Sequence, residues 1–311
     1  MHQNLLVPER ESAEITKRDA SPLVVYRNLL VPYDDSTFSQ AALLEAAHWT
    51  RRHQGTLTIL HAVFFDTEEF GIAPEMREKR LRKGQEFCSA AKARLETELG
   101  IEATVQYREG DPPEEVLAAA EGTGVDLIVM GTHGRRGISR MLMGSVTSHV
   151  VLHSGVDVLV VKKPCSTCRG VYSSILVPFD GSAQSKRSLE RACALAKQDA
   201  ATVTVMYVIP RYEEMLDFMR TPMIEKSLRG EAERILGEGK ALGQTLGIAA
   251  ETLIAEGHGG DEIARSVAKD GHDLVVMGTS GWRGMDKALL GSTAERVIRD
   301  APCPVLVVKK S

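Results

Sequence analysis

Short apolar runs alternate with longer segments of helical periodicity along most of the chain. In the first half, runs rich in Val, Ile and Leu predict strands near residues 28–32, 56–63, 102–107, 126–130 and 157–162. Between them, apolar residues recur every three or four positions and predict helices near 38–53, 75–99, 113–122 and 144–154. Ser36 and Ser145 are residues typical of helix starts. Regular alternation of strand and helix predicts a parallel sheet with helices on both faces.

This pattern occurs twice. Residues 26–36 (YRNLLVPYDDS) reappear as residues 172–182 (YSSILVPFDGS), an offset of 146 residues. Strands are predicted in the second half near 174–177, 202–208, 249–254, 273–277 and 304–309. The offset is too long for a solenoid, whose repeats span roughly 20–50 residues. We therefore predict two tandem α/β domains, each a doubly wound five-stranded parallel sheet in the order 3-2-1-4-5.

The boundaries of the units follow from the repeat. The predicted parts are an N-terminal extension, a first domain, a linker and a second domain, at residues 1–25, 26–163, 164–171 and 172–311. The last strands, 157–162 and 304–309, are apolar sheet edges that need cover. We expect the two halves to pack together through these strands as a pseudo-dimer, and full chains to pair again into a homodimer.

Each predicted fourth strand runs into a glycine loop of the same spacing, Gly-x-x-Gly-(nine residues)-Gly-Ser. The fixed residues are Gly131, Gly134, Gly144 and Ser145 in the first half and Gly278, Gly281, Gly291 and Ser292 in the second. A glycine loop that opens a helix presents backbone N–H groups to a phosphate. The loops contain neither the Gly-Lys-Ser/Thr of a P-loop nor a dinucleotide fingerprint. The alternative is that these glycines only permit tight turns.

An aspartate follows the first strand of each half, Asp34 and Asp180. In a 3-2-1-4-5 sheet the first and fourth strands are neighbours, so each aspartate is expected beside a glycine loop, in the crevice where such sheets bind ligands. The alternative is that each aspartate only caps the following helix.

Composition limits the possible partners. The net charge is −4, with 26% charged residues, which gives no reason to expect nucleic-acid binding. The apolar runs are too short to span a bilayer, and the N-terminal residues lack the apolar core of a secretory signal. The five cysteines form no disulfide framework, so we expect a cytoplasmic protein. Cys165 and Cys168 form a C-x-x-C pair, for which a zinc half-site, a redox pair and an incidental linker sequence all remain open.

Three elements together carry a resemblance. These are V-P-[YF]-D-[DG]-S, the glycine-loop spacing and a terminal V-L-V-V-K-K, present in both halves. With them, about residues 26–163 and 172–310 resemble the universal stress protein family, in its ATP-binding, tandem form. The resemblance implies ATP as the ligand, with or without Mg²⁺, lying across the crevice. It places adenine near the first two strands and the phosphates at the glycine loop.

Family positions transfer to this chain residue by residue. At the adenosine end the resemblance implies Pro32, Asp34, Pro178 and Asp180, and against adenine it implies Ala62 or Val63 in the first half and Val208 in the second. The phosphate side comprises the glycines and serines named above, together with Thr147. Ala294 stands where Thr147 does, so the second half lacks that hydroxyl.

The sequence has no pattern typical of rapid ATP hydrolysis, since it lacks a P-loop lysine and an evident general base for attack on the γ-phosphate. We interpret the chain as an ATP-binding stress-response protein that acts as a nucleotide-dependent regulatory or interaction module, with slow or no hydrolysis and no catalytic residue. The alternatives are a slow ATPase, an enzyme that phosphorylates itself on Ser145, Ser148 or Ser292, and a nucleotide-free scaffold. A related adenine-nucleotide hydrolase would need Ser-Gly-Gly-x-Asp-Ser after the first strand, which this chain lacks.

Overall fold

The computed structural model describes residues 26–64, 74–122, 124–134, 143–162, 170–210, 221–279 and 290–309. Strands and helices alternate within each half. The first half comprises β1 (Asn28–Pro32), α1 (Thr37–His53), β2 (Thr56–Val63), α2 (Pro74–Arg94), β3 (Ala103–Glu109), α3 (Pro112–Gly122), β4 (Leu127–Gly131), α4 (Ser145–His153) and β5 (Asp157–Val161). A π-helical turn, Leu95–Leu99, continues α2.

The second half repeats this order. It comprises β6 (Ser174–Pro178), α5 (Ala183–Asp199), β7 (Thr202–Pro210), α6 (Pro222–Thr245), β8 (Glu251–Gly257), α7 (Gly259–Asp270), β9 (Leu274–Gly278), α8 (Ser292–Asp300) and β10 (Val305–Val308). The predicted alternation is therefore confirmed in both halves.

Two strands extend beyond their predicted ends. β3 and β8 run to Glu109 and Gly257, a few residues past the predicted ends near 107 and 254. Both are edge strands, which are partly exposed to water and tolerate polar residues. Arg108 and Glu109 pair with Ala62 and Val63 of β2. Because both residues are charged, a search for apolar runs does not predict them as part of the strand.

All ten strands form one sheet. Its order is β3-β2-β1-β4-β5-β10-β9-β6-β7-β8, so each half has the predicted order 3-2-1-4-5. The strands are parallel within each half, whereas β5 and β10 are antiparallel, with Val160 opposite Val305 and Val158 opposite Val307. The prediction that the halves join through their last strands is confirmed.

Helices cover both faces of this sheet. One apolar layer lies under α1, α2, α5 and α6, and the other lies under α3, α4, α7 and α8. Each layer continues across the junction of the two halves. Arg52 of α1 also crosses the junction, donating hydrogen bonds to the carbonyls of Gly170 (3.1 Å) and Gln198 (2.8 Å). In the part of the chain that the structure describes, no helix combines the length and apolar character needed to cross a bilayer.

Helix starts differ between the two layers. Ser36 and Ser182 cap α1 and α5, where their hydroxyls accept from the N–H groups of Ser39 (3.2 Å) and Ser185 (3.1 Å). The prediction that a helix starts at Ser145 is confirmed, although Ser145 is not the cap of that helix. The cap of α4 is Gly144, and Ser145 is the first helical residue.

Candidate functional site

The ends of β1 and β4 meet at one crevice. Asp34 follows β1 and Gly134 lies in the loop after β4. A Cβ atom on Gly134 would lie only 2.7 Å from Oδ2 of Asp34. The Ser36 hydroxyl also donates a long hydrogen bond of 3.5 Å to the His133 carbonyl. The aspartate and the first glycine loop are therefore brought together as predicted.

Each aspartate also holds the turn before the next helix. Oδ1 of Asp34 accepts from the N–H of Ser36 at 3.1 Å, and Oδ1 of Asp180 accepts from the N–H of Ser182 at 3.0 Å. Neither aspartate is the helix cap, because Ser36 and Ser182 fill that role. In the first half one carboxylate oxygen thus supports the turn while the other faces the glycine loop.

The residue after each aspartate has a left-handed backbone. Asp35 has φ of 62° and Gly181 has φ of 81°. Glycine adopts this conformation freely, whereas Asp35 bears a side chain there. Its Oδ1 accepts hydrogen bonds from the Tyr33 hydroxyl (3.2 Å) and from Nε2 of Gln40 (3.0 Å). Burial, with Asp35 beside it, raises the pKa of Tyr33, so this phenol stays a donor.

The first glycine of each loop is required by packing. A Cβ atom on Gly131 would lie 2.6 Å from Cβ of Phe38 and 2.7 Å from its carbonyl carbon. A Cβ atom on Gly278 would overlap the side chain of Gln184 in the same way. Close approach of α1 and α5 to the strand ends explains these two glycines. The alternative, a tight turn that needs glycine, does not, because neither residue has a positive φ.

The last glycine of each loop closes the loop onto the strand end. The N–H of Gly144 donates to the carbonyl of Thr132 at 2.9 Å, and Gly291 donates to Thr279 at the same distance. A Cβ atom on Gly144 would lie 3.0 Å from the Thr132 oxygen. Its backbone, with φ of −60° and ψ of 142°, suits any residue, so close approach is the reason for glycine.

The closed loop leaves a helix start beside the crevice. Gly144 and Gly291 are the caps of α4 and α8, and glycine has no side chain to accept from the first-turn N–H groups. Ser145 and Ser292, the first helical residues, are exposed. Uncapped N–H groups at a helix start, next to a hydroxyl, are a favourable place for an anion.

Parts of both glycine loops and of the linker between the halves lie outside the described residues. Gly281, Ser280 and the basic residues Arg135, Arg136, Arg140, Arg283 and Lys287 lie outside the described residues, as do Cys165 and Cys168.

The role predicted for Thr147 needs a correction. Its side chain is buried, and its hydroxyl donates to the carbonyl of Gly131 at 2.8 Å. That hydroxyl fastens α4 to the end of β4 and points into the protein. Ala294, the equivalent residue, is also buried, so the second half lacks this link and loses no contact to the crevice.

Strand alternation separates the two adenine candidates. Ile59 belongs to the layer under α1 and α2, and Leu60 to the layer under α3 and α4. Since successive side chains alternate between faces, Ala62 lies on the face of α4 and the buried Val63 on the other. Val208, which matches Ala62, packs on the corresponding layer. The residues on the α4 side are therefore Ala62 and Val208, while Pro32 and Pro178 end β1 and β6, both half-buried.

Two residues of the first turn of α1 and α5 were missed by the pattern. Phe38 packs against Gly131, and its ring lies 5.3 Å from that of His133. The equivalent Gln184 donates from Nε2 to Oγ1 of Thr279 at 3.0 Å. Both side chains pack against the end of the fourth strand of their own half. A phenylalanine and a glutamine at matching positions share no chemical signal that a sequence pattern would reveal.

The histidines near the crevice have structural contacts. Nδ1 of His61 lies 2.8 Å from the Tyr33 carbonyl, and its ring meets that of Phe87 edge-on at 4.7 Å. Nδ1 of His133 lies 3.1 Å from Oγ1 of Thr132. Within the described ranges no three His, Cys, Asp or Glu side chains gather as metal ligands.

Comparison with known proteins agrees with this architecture. A universal stress protein of Methanocaldococcus jannaschii is 37% identical over 146 residues, which are 45% of this chain and 84% of that protein. One of Thermus aquaticus is 32% identical over 143 residues, 45% of this chain and its own whole length. The crystal structure of a universal stress protein from Archaeoglobus fulgidus covers 91% of this chain and 98% of its own, with a TM-score of 0.67 and 24% identity, and so shows the shared fold.

The family model spans both halves. The model described as the universal stress protein family matches residues 25–162 and again residues 172–309, which is nearly the whole chain. The chain therefore belongs to the universal stress protein family and carries that family's domain twice.

Proposed function

We propose that this protein binds ATP at two equivalent crevices and acts in the cytoplasm as a nucleotide-dependent regulatory module of the stress response. The domains involved are those predicted at 26–163 and 172–311. The observation that carries the proposal is the meeting of Asp34 with Gly134 at the ends of β1 and β4. It places a carboxylate and an uncapped helix start on two sides of one crevice.

Phosphate binding is supported by the start of α4. The first-turn N–H groups and the exposed Ser145 hydroxyl are donors that a triphosphate can use. Each hydrogen bond to a charged oxygen contributes roughly 1.5–3 kcal/mol. Three or four of them account for most of the ~8 kcal/mol that micromolar binding requires. Ser292 and α8 provide the same arrangement in the second half.

Adenosine binding is supported by the opposite side of the crevice. Ala62 and Val208 are half-buried and lie on the face of α4 and α8 respectively, so each offers an apolar contact for a base. The carboxylates of Asp34 and Asp180 stand at the ends of β1 and β6, where they suit ribose hydroxyls. Mg²⁺, where it accompanies ATP, would be held chiefly by the phosphates.

Slow turnover is the second part of the proposal. Backbone N–H groups stabilise bound ATP in its ground state, whereas rate acceleration needs contacts that strengthen in the transition state. His133 would be a candidate base, but it contacts Thr132 and Phe38, and serine replaces it at position 280. We therefore expect ATP hydrolysis far slower than the ~10 per second typical of enzymes.

Calorimetric titration of the full chain with ATP tests binding, and phosphate release tests turnover. The expected result is two sites per chain with micromolar affinity and little phosphate release. No binding at millimolar ATP would favour the nucleotide-free scaffold. Release near ten per second, abolished in a Gly144→Val, Gly291→Val variant, would favour the enzyme.

A further inference from the structure

At the junction between the halves, some positions that are equivalent in the two domains carry residues of different charge. Tyr26 and Tyr172 are equivalent, offset by 146 residues, and so are Glu45 and Arg191. Asp157, at the start of β5, matches Pro304 just before β10, with an offset of 147. In a dimer of two identical domains, both sides of the junction would have the same charged residues. In this chain the two sides of the junction have different ones.

One side of the junction is an ion pair between the halves. Nε of Arg191 lies 2.9 Å from Oδ2 of Asp157. The same oxygen accepts a hydrogen bond from the hydroxyl of Tyr26. The Arg191 guanidinium lies over the Tyr26 ring, 5.3 Å from its centroid. Oδ1 of Asp157 accepts the N–H of Lys309 at 2.8 Å. Asp157 is only 5% exposed, and these partners supply hydrogen bonds or opposite charge to both of its carboxylate oxygens.

Among the described residues, the other side has no ion pair at the position equivalent to Arg191, although Arg52 of the first half and Asp199 of the second form an ion pair nearby. Glu45, in the position that matches Arg191, accepts the hydroxyl of Tyr172 at 2.6 Å. Nε1 of Trp49 donates to the same Tyr172 oxygen at 3.3 Å. Because Pro304 takes the place of Asp157, no second carboxylate stands opposite Glu45 at that position. Glu45 is only 4% exposed.

Glu45 and Arg191 each touch the tyrosine of the other half, so the junction itself shows that their positions correspond. In a pair of two first halves, the partner's Glu45 would take the place of Arg191 and meet Asp157. Two buried carboxylates would then face each other at both sides of the junction. In a pair of two second halves, Arg191 would face Pro304 and lose its carboxylate. A largely desolvated charge without its partner is destabilising, and the Arg191 side chain is only 16% exposed.

We propose that this junction is selective: the first half accepts only a second half as its partner, and Glu45, Asp157 and Arg191 contribute to that choice. Selectivity comes from rejecting the wrong pair as well as from favouring the right one. Any homodimer of the full chain must then use another surface, or exchange first and second halves between chains.

A protease site inserted between residues 163 and 170 of the full chain allows a direct test. After cleavage the halves are unfolded in urea, refolded together at pH 8 and analysed by native mass spectrometry. We expect first–second pairs to exceed either same-half pair at least tenfold. Same-half pairs approaching the random proportion would overturn the proposal.

A second measurement does not depend on refolding of separate halves. Arg191→Glu in the uncleaved chain recreates the carboxylate contact of a first–first pair. It should lower the folding equilibrium constant roughly 100-fold or more. Adding Asp157→Asn should recover at least tenfold of that loss. Lys197→Glu, the same charge change at an exposed position of α5, is the control and should cost far less. Equal losses for Arg191→Glu and Lys197→Glu, or no recovery in the double variant, would contradict the proposal.

Discussion

Oδ2 of Asp34 lies 2.7 Å from the position that a Cβ atom on Gly134 would take. The two residues are 100 positions apart in the chain and belong to different strand ends. Their contact defines the crevice, because the carboxyl ends of β1 and β4 are neighbours in the sheet. The glycines around it serve different purposes, and substitution separates them.

Gly131→Ala should destabilise the fold. The added Cβ would meet Phe38 at 2.6 Å, and the backbone of α1 stands beside it at 2.7 Å, so the helix must move. Overpacking of this kind costs roughly 1–3 kcal/mol. Thermal or urea unfolding measures the loss. Gly155→Ala is the control, since no atom lies within 4 Å of the added Cβ. Equal stability of the two variants would show that α1 does not press on the strand end.

Two alanine substitutions should change stability in opposite directions. Gly181 has φ of 81°, so Gly181→Ala should cost about 1 kcal/mol through the backbone alone; the nearest atom to its Cβ is 3.8 Å away. Gly230 lies inside α6, exposed and with no neighbouring atom within 4 Å. Gly230→Ala should raise stability by about 0.5–1 kcal/mol. Urea unfolding at one pH compares them, and a stabilising Gly181→Ala would refute the left-handed turn.

The junction should make stability depend on pH through Glu45. Burial raises the pKa of Glu45 from 4.5 to about 7, and hydrogen bonds from Tyr172 and Trp49 offset only part of that effect. Between these pH values the folded state binds more protons than the unfolded state, so stability falls as pH rises through this window. The loss has an upper limit of about 3 kcal/mol.

Glu45→Gln isolates this contribution. A glutamine oxygen still accepts the Tyr172 hydroxyl but does not titrate, so the variant should lose less stability than the wild type between pH 5 and pH 8. Other titrating groups are common to both proteins and cancel in the comparison. Unfolding free energies from urea titrations at the two pH values give the result. Parallel pH profiles would mean that Glu45 keeps an ordinary pKa.

Much of the fold follows from local patterns. Buried strands such as β4 and β9 are unbroken apolar runs, and the repeated motif after β1 and β6 reveals the duplication. The pairing of β5 with β10 also followed from the pattern, because an apolar edge strand needs cover. The edge strands were less predictable, since Arg108 and Glu109 of β3 look like loop residues.

The site was harder to predict because its details depend on contacts between distant segments. Spacing marked Gly131 and Gly144 alike, but only the position of Phe38 shows that Gly131 serves packing. The motif predicts Thr147 as a ligand contact, whereas its hydroxyl donates a hydrogen bond to the Gly131 carbonyl. The choice between Ala62 and Val63 needed the strand register, which a one-residue shift would reverse.

Placing a carboxylate at each helix start tests the phosphate site most directly. Ser145→Glu and Ser292→Glu add a negative charge at the first residue of α4 and α8. Such a charge stabilises a helix N-terminus by about 0.3–1 kcal/mol, yet it repels a bound phosphate. Binding should therefore be lost without loss of stability. Met76→Glu and Met223→Glu, exposed positions in the first turns of α2 and α6, are matched controls on the opposite face of the sheet.

The decisive measurement is the number of ATP sites per chain by calorimetric titration. We predict two sites in the wild type and in both methionine controls, one site in either serine variant, and none in the double serine variant, with all proteins equally folded. Two sites of unchanged affinity in the double serine variant would contradict the account.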